Sequence, residues 1–259
     1  MIKCRPRSAD STGVTGAPRF SIVVPAHNEE ALLGRGLEAI EGAVRASGST
    51  AEIIVVANRC VDRTEAIARA SGAIVLQDTS RSIAAIRNAG VRASTGEVVV
   101  TIDADNLLHE RALMEVNRLI EAGDSVGGGC DFVPERSSVG LAATSAVLRL
   151  AMKIGRLGGV MYWCRRSDFD AIGGFDESRS CAEDLDFAYR LRRHGRSTGR
   201  GFANLRGVPV IVSCRKFDSF GDWHMLGLFA RPRTVIGSIR GTDTRFADEY
   251  YYDYNTPAW

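Results

Sequence analysis

A chain of 259 residues, 45% hydrophobic and 25% charged, can bury a substantial core as one large domain or two small ones. Its 33 Lys and Arg against 31 Asp and Glu give a formal charge of +2, which excludes the basic footprint of a nucleic-acid binder and leaves any preference for anions to local clusters. The six cysteines are scattered without a Cys-x-x-Cys pair, so neither a zinc site nor a dithiol centre is expected, and no stretch has the length and purity of a membrane span. The opening MIKCRPRSADSTGVTGAPRF lacks the apolar centre of a signal peptide. A disordered leader over residues 1–18 and a reduced, cytoplasmic protein are the expectation.

Residues 20–24, FSIVV, form an apolar run that stops at Pro25 and opens into HNEEALLGRGLEAIEGAVRA, where Leu33, Leu37, Ile40 and Val44 keep helical spacing. The unit recurs. EIIVV at 52–56 precedes a helix predicted around 62–70, AIVL at 73–76 one around 81–94, and EVVVTI at 97–102 one around 109–122. Alternation at intervals of about 25 residues predicts an open, mostly parallel α/β sheet flanked by helices. Such sheets bind ligands beyond the carboxyl ends of their strands, where PAHNEE, ANRCVDRT and DADN all fall.

After residue 124 the pattern loosens. GGGCDFV reads as a strand that Gly127, Gly128 and Gly129 weaken. Residues 139–157 read as a helix with Arg149, Lys153 and Arg156 along one side. That helix either covers the sheet with its charges solvated or makes peripheral contact with an anionic membrane surface. From Phe217 the chain turns aromatic and ends in ADEYYYDYNTPAW, either a cover over the site or a partner-binding strand.

The short β-branched run before DADN reads as a strand buried on both faces. If the extended conformation persists, Asp103 and Asp105 point into one volume, where two carboxylates require a proton or a cation. A hard divalent ion, Mg2+ or Mn2+, suits oxygen ligands. The competing reading makes both residues, with Asn106, a polar turn. A second cluster lies in GGFDESRSCAEDLDFAYRLRRHG at 173–195. Ser180 and Glu183 have capping-box spacing, giving Glu183 a structural role at a helix start. Asp184 heads the apolar face formed by Phe187, Ala188 and Leu191, a setting that suits a general base. The alternative is that Asp184 and Asp186 simply favour the helix N-terminus. No Gly-x-Gly-x-x-Gly lies between a strand and a helix and no Walker loop is present, which argues against a dinucleotide dehydrogenase or a P-loop enzyme.

Taken in order, SIVVPAHNEE, EIIVVANRCVDRT, SRSIAAIRNAGVRASTGEVVVTIDADN and GGFDESRSCAEDLDFAYRLRRHG resemble the family-two inverting glycosyltransferases, enzymes of the GT-A or nucleotide-diphospho-sugar transferase fold. The resemblance runs from about residue 20 to 196. It implies a catalytic domain over 19–230, with a nucleotide-sugar half at 19–123 and an acceptor half at 124–230, followed by an aromatic tail over 231–259. By the same resemblance Pro25, Ala26, Asn28 and Glu29 hold the nucleoside, Asn58 stands at the base-contacting position, and Arg81 matches a donor-contacting basic residue. Asp103, Ala104 and Asp105 match the Asp-x-Asp motif, with Asp105 binding Mn2+ or Mg2+. Asp184 matches the catalytic base, Gly173, Gly174, Phe175 and Glu183 the acceptor side, and His224 a further metal ligand of some relatives. One departure stands out: Ala57-Asn58 replaces the usual Asp-Asp pair.

The function so implied is metal-dependent transfer of a sugar from a nucleoside-diphosphate sugar, UDP-sugars favoured and GDP-sugars compatible, to an acceptor hydroxyl of unassigned identity. A sugar nucleotidyltransferase and a non-catalytic nucleotide-sugar-binding protein are the alternatives. Pyrophosphate release would mark the first, and tight donor binding without turnover the second.

Overall fold

The structure, a computed structural model, describes residues 16–155, 159–179 and 181–223. Expectations for the leader up to residue 15, for His224 and for the C-terminal tail fall outside the described residues. The predicted alternation is present as β1 (Phe20–Ala26), α1 (Leu33–Ser47), β2 (Ala51–Asn58), α2 (Thr64–Ala70), β3 (Ile74–Asp78), α3 (Ile83–Arg92), β4 (Val98–Ile102) and α4 (Ala112–Ala122). The second half follows as β5 (Ser125–Pro134), α5 (Val139–Gly155), β6 (Gly159–Arg165), α6 (Arg166–Ala171), α7 (Glu183–Ser197), β7 (Gly201–Val212) and α8 (Arg215–Phe220).

These strands form one seven-stranded sheet in the order β3-β2-β1-β4-β6-β5-β7. The pairings β1–β2, β1–β4, β2–β3 and β5–β7 are parallel, and β6 runs antiparallel to both of its neighbours. The sheet is mixed, mostly parallel and open, the fold class read from the sequence. Because β1 and β4 are buried on both faces, their side chains are apolar except for Ser21, which donates to Glu52, and Thr101, and each face needs its own helical cover. Leu33, Leu37 and Ile40 of α1 and Leu113, Val116 and Ile120 of α4 close one face. Ala84, Ile86 and Val91 of α3 and Phe187, Ala188 and Leu191 of α7 close the other.

The strand order places the site. Chain order runs outward from β1 in one direction through β2 and β3, and in the other through β4, so the crevice between β1 and β4 is a topological switch point. Pairing of β1 with β4 ends at Val23 and Thr101, while pairing with β2 continues to Ala26 and Ala57. Pro25 therefore lies inside β1 instead of ending it, and its missing N–H falls where β4 has already turned away.

Two expectations from glycine and charge need revision. The run Gly127–Gly129 does not weaken β5, which extends over Ser125–Pro134; a Cβ at Gly128 would collide with the Ala203 carbonyl of β7 and touch the Trp163 ring of β6. On α5, Arg149 is exposed but not simply solvated, and the side chains of Lys153 and Arg156 fall outside what the structure describes. The Arg149 guanidinium donates to the Phe132 carbonyl at 2.8 Å and lies 5.5 Å from the Phe132 ring centroid, tying the helix to β5. Among the described residues no helix is long and apolar enough to cross a membrane.

Helix α1 approaches the loop after β4 closely because position 36 is glycine. A Cβ built there would lie 2.6 Å from the Ala104 carbonyl oxygen. Gly36→Ala should force the helix and the loop apart at a cost of about 1–3 kcal/mol. Chemical denaturation should register that loss as a lower midpoint with an unchanged slope.

Candidate active site

The carboxyl ends of β1, β2 and β4, the start of α3, the start of α7 and the start of α8 surround a cavity of about 150 Å3. Pro25, Ala26, Glu29, Asn58, Asp103, Ala104, Asp105 and Glu183, all singled out in the sequence, line it together with His27, Ile83, Ile86, Arg87, Arg215 and Lys216. Arg81 is exposed on the loop before α3 and does not line the cavity. Gly173, Gly174 and Phe175 line a separate, more open cavity beside it, with Asn88, Arg92 and Arg190.

The two aspartates converge by a different route from the one strand alternation predicts. β4 ends at Ile102, and the Asn106 N–H donates to the Asp103 carbonyl at 3.2 Å, so residues 103–106 form a turn. Asp103 faces Arg87 at 2.8 Å, whereas Asp105 faces the Arg215 guanidinium at 3.6 Å. They still share one field: burial, helped by the charges of Asp103 and Glu29, pushes the Asp105 carboxyl up to about 6. Glu29 is also raised, by burial, although the Arg215 guanidinium holds both of its oxygens at 2.8 and 3.0 Å. Burial lowers the Lys216 ammonium.

Arg87 is the centre of the arrangement, and sequence reasoning passed over it. It is 9% exposed, donates to Glu183 at 2.6 Å and to Asp103 at 2.8 Å, and lies 5.4 Å from the Phe175 ring centroid. One guanidinium thus joins α3, the turn after β4, the start of α7 and the loop before it. Its Nε is buried without a partner, so the interaction is optimised for reach across the site at the expense of full satisfaction. The two carboxylates raise its proton affinity far above the ordinary arginine value, so Arg87 is charged throughout. The signal for it was present: Arg87 falls on the buried side of α3, where an unpaired arginine is not tolerated.

Helix α7 does not start with the capping box that Ser180 and Glu183 suggest. Ser180 lies outside the described residues, the N-cap is Ala182, and no side chain caps the helix. Glu183 is the first helical residue and serves Arg87 instead. Ala182 has φ 57, and Asn28 and Arg59 have φ 51 and φ 50; these are all of the non-glycine residues with positive φ among those described. All three border the site, on the loops after β1 and β2 and before α7. Backbone strain of about 1–3 kcal/mol is characteristic of such positions.

Asp184 follows Glu183. Among the described residues its carboxylate accepts one hydrogen bond, from the Leu185 N–H at 2.8 Å. Burial and the neighbouring Glu183 charge raise its proton affinity above the ordinary aspartate range, and the nearby Arg87 limits the rise. Asp186 differs, being held by Arg179 at 2.9 Å and Arg190 at 2.6 Å. Asp186 is thus fixed by arginines, whereas Asp184 keeps its hydrogen bond with a backbone N–H at the helix start, on the helix that carries Phe187, which stacks on Phe175 at 4.2 Å. Asn58 is 1% exposed, and its amide nitrogen donates to Asp78 and Ser80, cross-bracing the ends of β2 and β3. Its oxygen accepts from Arg59 Nε at 3.0 Å.

The profile of glycosyl transferase family 2 matches residues 21–149. The chain belongs to this family. Among curated relatives it is 34% identical over 109 residues to the undecaprenyl-phosphate 4-deoxy-4-formamido-L-arabinose transferase of Pseudomonas paraeruginosa, covering 39% of this chain and 31% of that one. It is 26% identical over 218 residues to glycosyltransferase AglE of Haloferax volcanii, covering 79% and 69%. The family-two fold also recurs in TarS of S. aureus in complex with UDP-GlcNAc, with a TM-score of 0.59, 18% identity and coverage of 75% and 58%. The mannosyltransferase PcManGT of Pyrobaculum calidifontis, in complex with GDP-Man and Mn2+, gives 0.58, 22%, 85% and 65%.

In this family-two chain, removing Arg87 would leave a buried Glu183 carboxylate without its cation. Arg87→Met should cost on the order of 3 kcal/mol in equilibrium unfolding, and adding Glu183→Gln should recover part of it. Strictly additive losses would show that the two side chains are not coupled.

Proposed function

We propose that the protein transfers a sugar, with inversion, from a nucleoside-diphosphate sugar to an acceptor hydroxyl. The observation that carries this reading is a pair of carboxylates of raised proton affinity, Asp105 in the wall of the cavity at the switch point and Asp184 next to Glu183, which lines the same cavity and pairs with Arg87. A divalent cation fits the first of them. Asp105 and Asp103 are hard oxygen donors in a field already too negative for Asp105 to ionise at its usual pH, and Mg2+ or Mn2+ commonly takes one or two carboxylates together with substrate phosphates. When bound, the ion would offset the charge of the departing nucleoside diphosphate.

The remaining work falls to this chain. Asp184 accepts the proton of the acceptor hydroxyl; its raised affinity makes it a stronger base than a surface aspartate while leaving it ionised at neutral pH. Arg87 keeps Asp103 and Glu183 in register, so that base and donor sides move together. Pro25, Ala26, Asn28 and Glu29 border the nucleoside on the β1 side. The Asn58 nitrogen is spent on Asp78 and Ser80, but its oxygen retains a lone pair that can accept from uracil N3–H. A guanine N1–H could use the same lone pair. We favour the uridine series. Gly173, Gly174 and Phe175 border the acceptor side.

Titration calorimetry with UDP and GDP, with and without Mn2+, tests donor binding: metal-dependent binding of one series is expected, and binding of neither by folded protein would overturn the reading. For the base, Asp184→Asn should lower kcat, followed as nucleoside diphosphate release, by about 10²–10⁴ while leaving nucleotide affinity nearly unchanged. In the parent protein at saturating Mn2+, the rate should fall on acidification as Asp184 takes up its proton, at a pH above the ordinary aspartate range because its affinity is raised. An acid limb at the usual carboxylate pH would assign the base elsewhere.

A further inference from the structure

At the edge of the cavity Arg215 makes contacts that are costly unless they serve a second state. Its Nη1 and Nη2 donate to both oxygens of Glu29, at 3.0 and 2.8 Å, and Nη2 also stands 3.6 Å from Asp105 Oδ2. Glu29 is 8% exposed, and the side chains of Arg215 and Asp105 are 26% and 23% exposed, so the cluster is largely withdrawn from water. The helix carrying Arg215 contributes nothing to the core. None of the six residues of α8 is buried, and β7 before it is the edge strand of the sheet. Arg215 is held against the cavity wall by its pairing with the two carboxylates. A side chain held by charge on a peripheral segment can be released by a competing charge.

We infer that Arg215 is an internal counter-ion that competes with a divalent cation for the carboxylates of Glu29 and Asp105, and transfers to the donor diphosphate when metal and nucleotide bind together. The inference rests on the proposed function, because it takes the ligand pair to be a divalent cation and a nucleoside diphosphate. A dication near Asp105 repels the guanidinium, and an arriving diphosphate offers it a bidentate oxygen pair in place of Glu29. Lys216, lining the same wall, adds a second positive charge for the same anion. The protein alone thus keeps Glu29 paired and offsets part of the negative charge at Asp105, and metal and nucleotide should load cooperatively: the diphosphate offers Arg215 an alternative partner and so lowers the cost of displacing it.

Competition predicts effects of opposite sign, which a purely structural ion pair does not. In Arg215→Gln, Mn2+ alone should bind at least about tenfold more tightly, and UDP or GDP at saturating Mn2+ at least about tenfold more weakly, by calorimetry on the full chain. Arg215→Lys keeps the charge but loses the fork to Glu29; it should hold nucleotide better than Arg215→Gln. Circular dichroism melts establish that each variant is folded, and if Arg215→Gln is not, Arg215→Lys carries the test: losing the fork to Glu29 should raise Mn2+ affinity, by a smaller factor than removing the charge. Unchanged or weaker Mn2+ binding in the folded variants, with normal nucleotide binding, overturns the inference and leaves the transferase reading intact. Failure of the parent protein to bind either nucleotide overturns that reading, and the inference with it.

Discussion

The buried guanidinium of Arg87 is the interaction on which the site depends. Three segments that are remote in sequence, α3, the turn after β4 and the start of α7, reach the same point only because one planar cation can donate in two directions at once. A lysine could neutralise one carboxylate there and would leave the other exposed to its neighbour's field. The arrangement also explains why α7 begins without a side-chain cap and with a left-handed alanine: the first residue of the helix is committed to Arg87, and the backbone bends to deliver it. Local helix chemistry is subordinated to a contact 96 residues away in the chain.

The fold was legible in the sequence to the extent that it is periodic. Four strand-helix repeats in the first half carry apolar runs whose length and β-branching admit few alternatives, and the open mostly parallel sheet follows from them. The second half mixes antiparallel pairing with a long strand rich in glycine, and there propensity misleads. Gly127–Gly129 weaken a strand considered alone, but they let β7 and Trp163 approach, and no property of the local sequence reports which backbone will lie opposite. Pro25 is a similar case, since whether a strand tolerates proline depends on where its neighbour stops pairing.

Within the site, the acidic residues were visible and their counter-ions were not. Asp103, Asp105, Glu183 and Asp184 occur as close clusters that attract attention in one dimension. Arg87 and Arg215 are single cations in stretches with many others, and only the fold decides which arginine is buried. Asn58 shows the converse. The family resemblance placed it at the base-contacting position, and it lines the cavity, yet its amide nitrogen is used to brace β3, a role that depends on Asp78 and Ser80 lying across the gap. Ser180 and Glu183 matched a local motif whose geometry a stronger long-range ion pair overrides.

The charges around the cavity give the chemistry its direction. Glu29, Asp103, Asp105, Glu183 and Asp184 are five carboxylates, and Arg87, Arg215 and Lys216 are three cations, a formal excess of two negative charges. The excess is not spread evenly. Arg87 and Arg215 hold Glu183, Asp103 and Glu29 at hydrogen-bonding distance, and the proton affinities of Asp105, Asp184 and Glu29 rise, through burial first and neighbouring carboxylates second. On the proposed function, a raised carboxylate on the donor side favours binding a dication, since displacing a proton from it costs little near neutral pH, and a raised carboxylate on the acceptor side favours taking a proton from a hydroxyl. Both properties follow from burying carboxylates in excess of their cations. Adding a cation at either place without adding a carboxylate would weaken both, which is why the same electrostatic deficit that destabilises the site is what equips it for transfer.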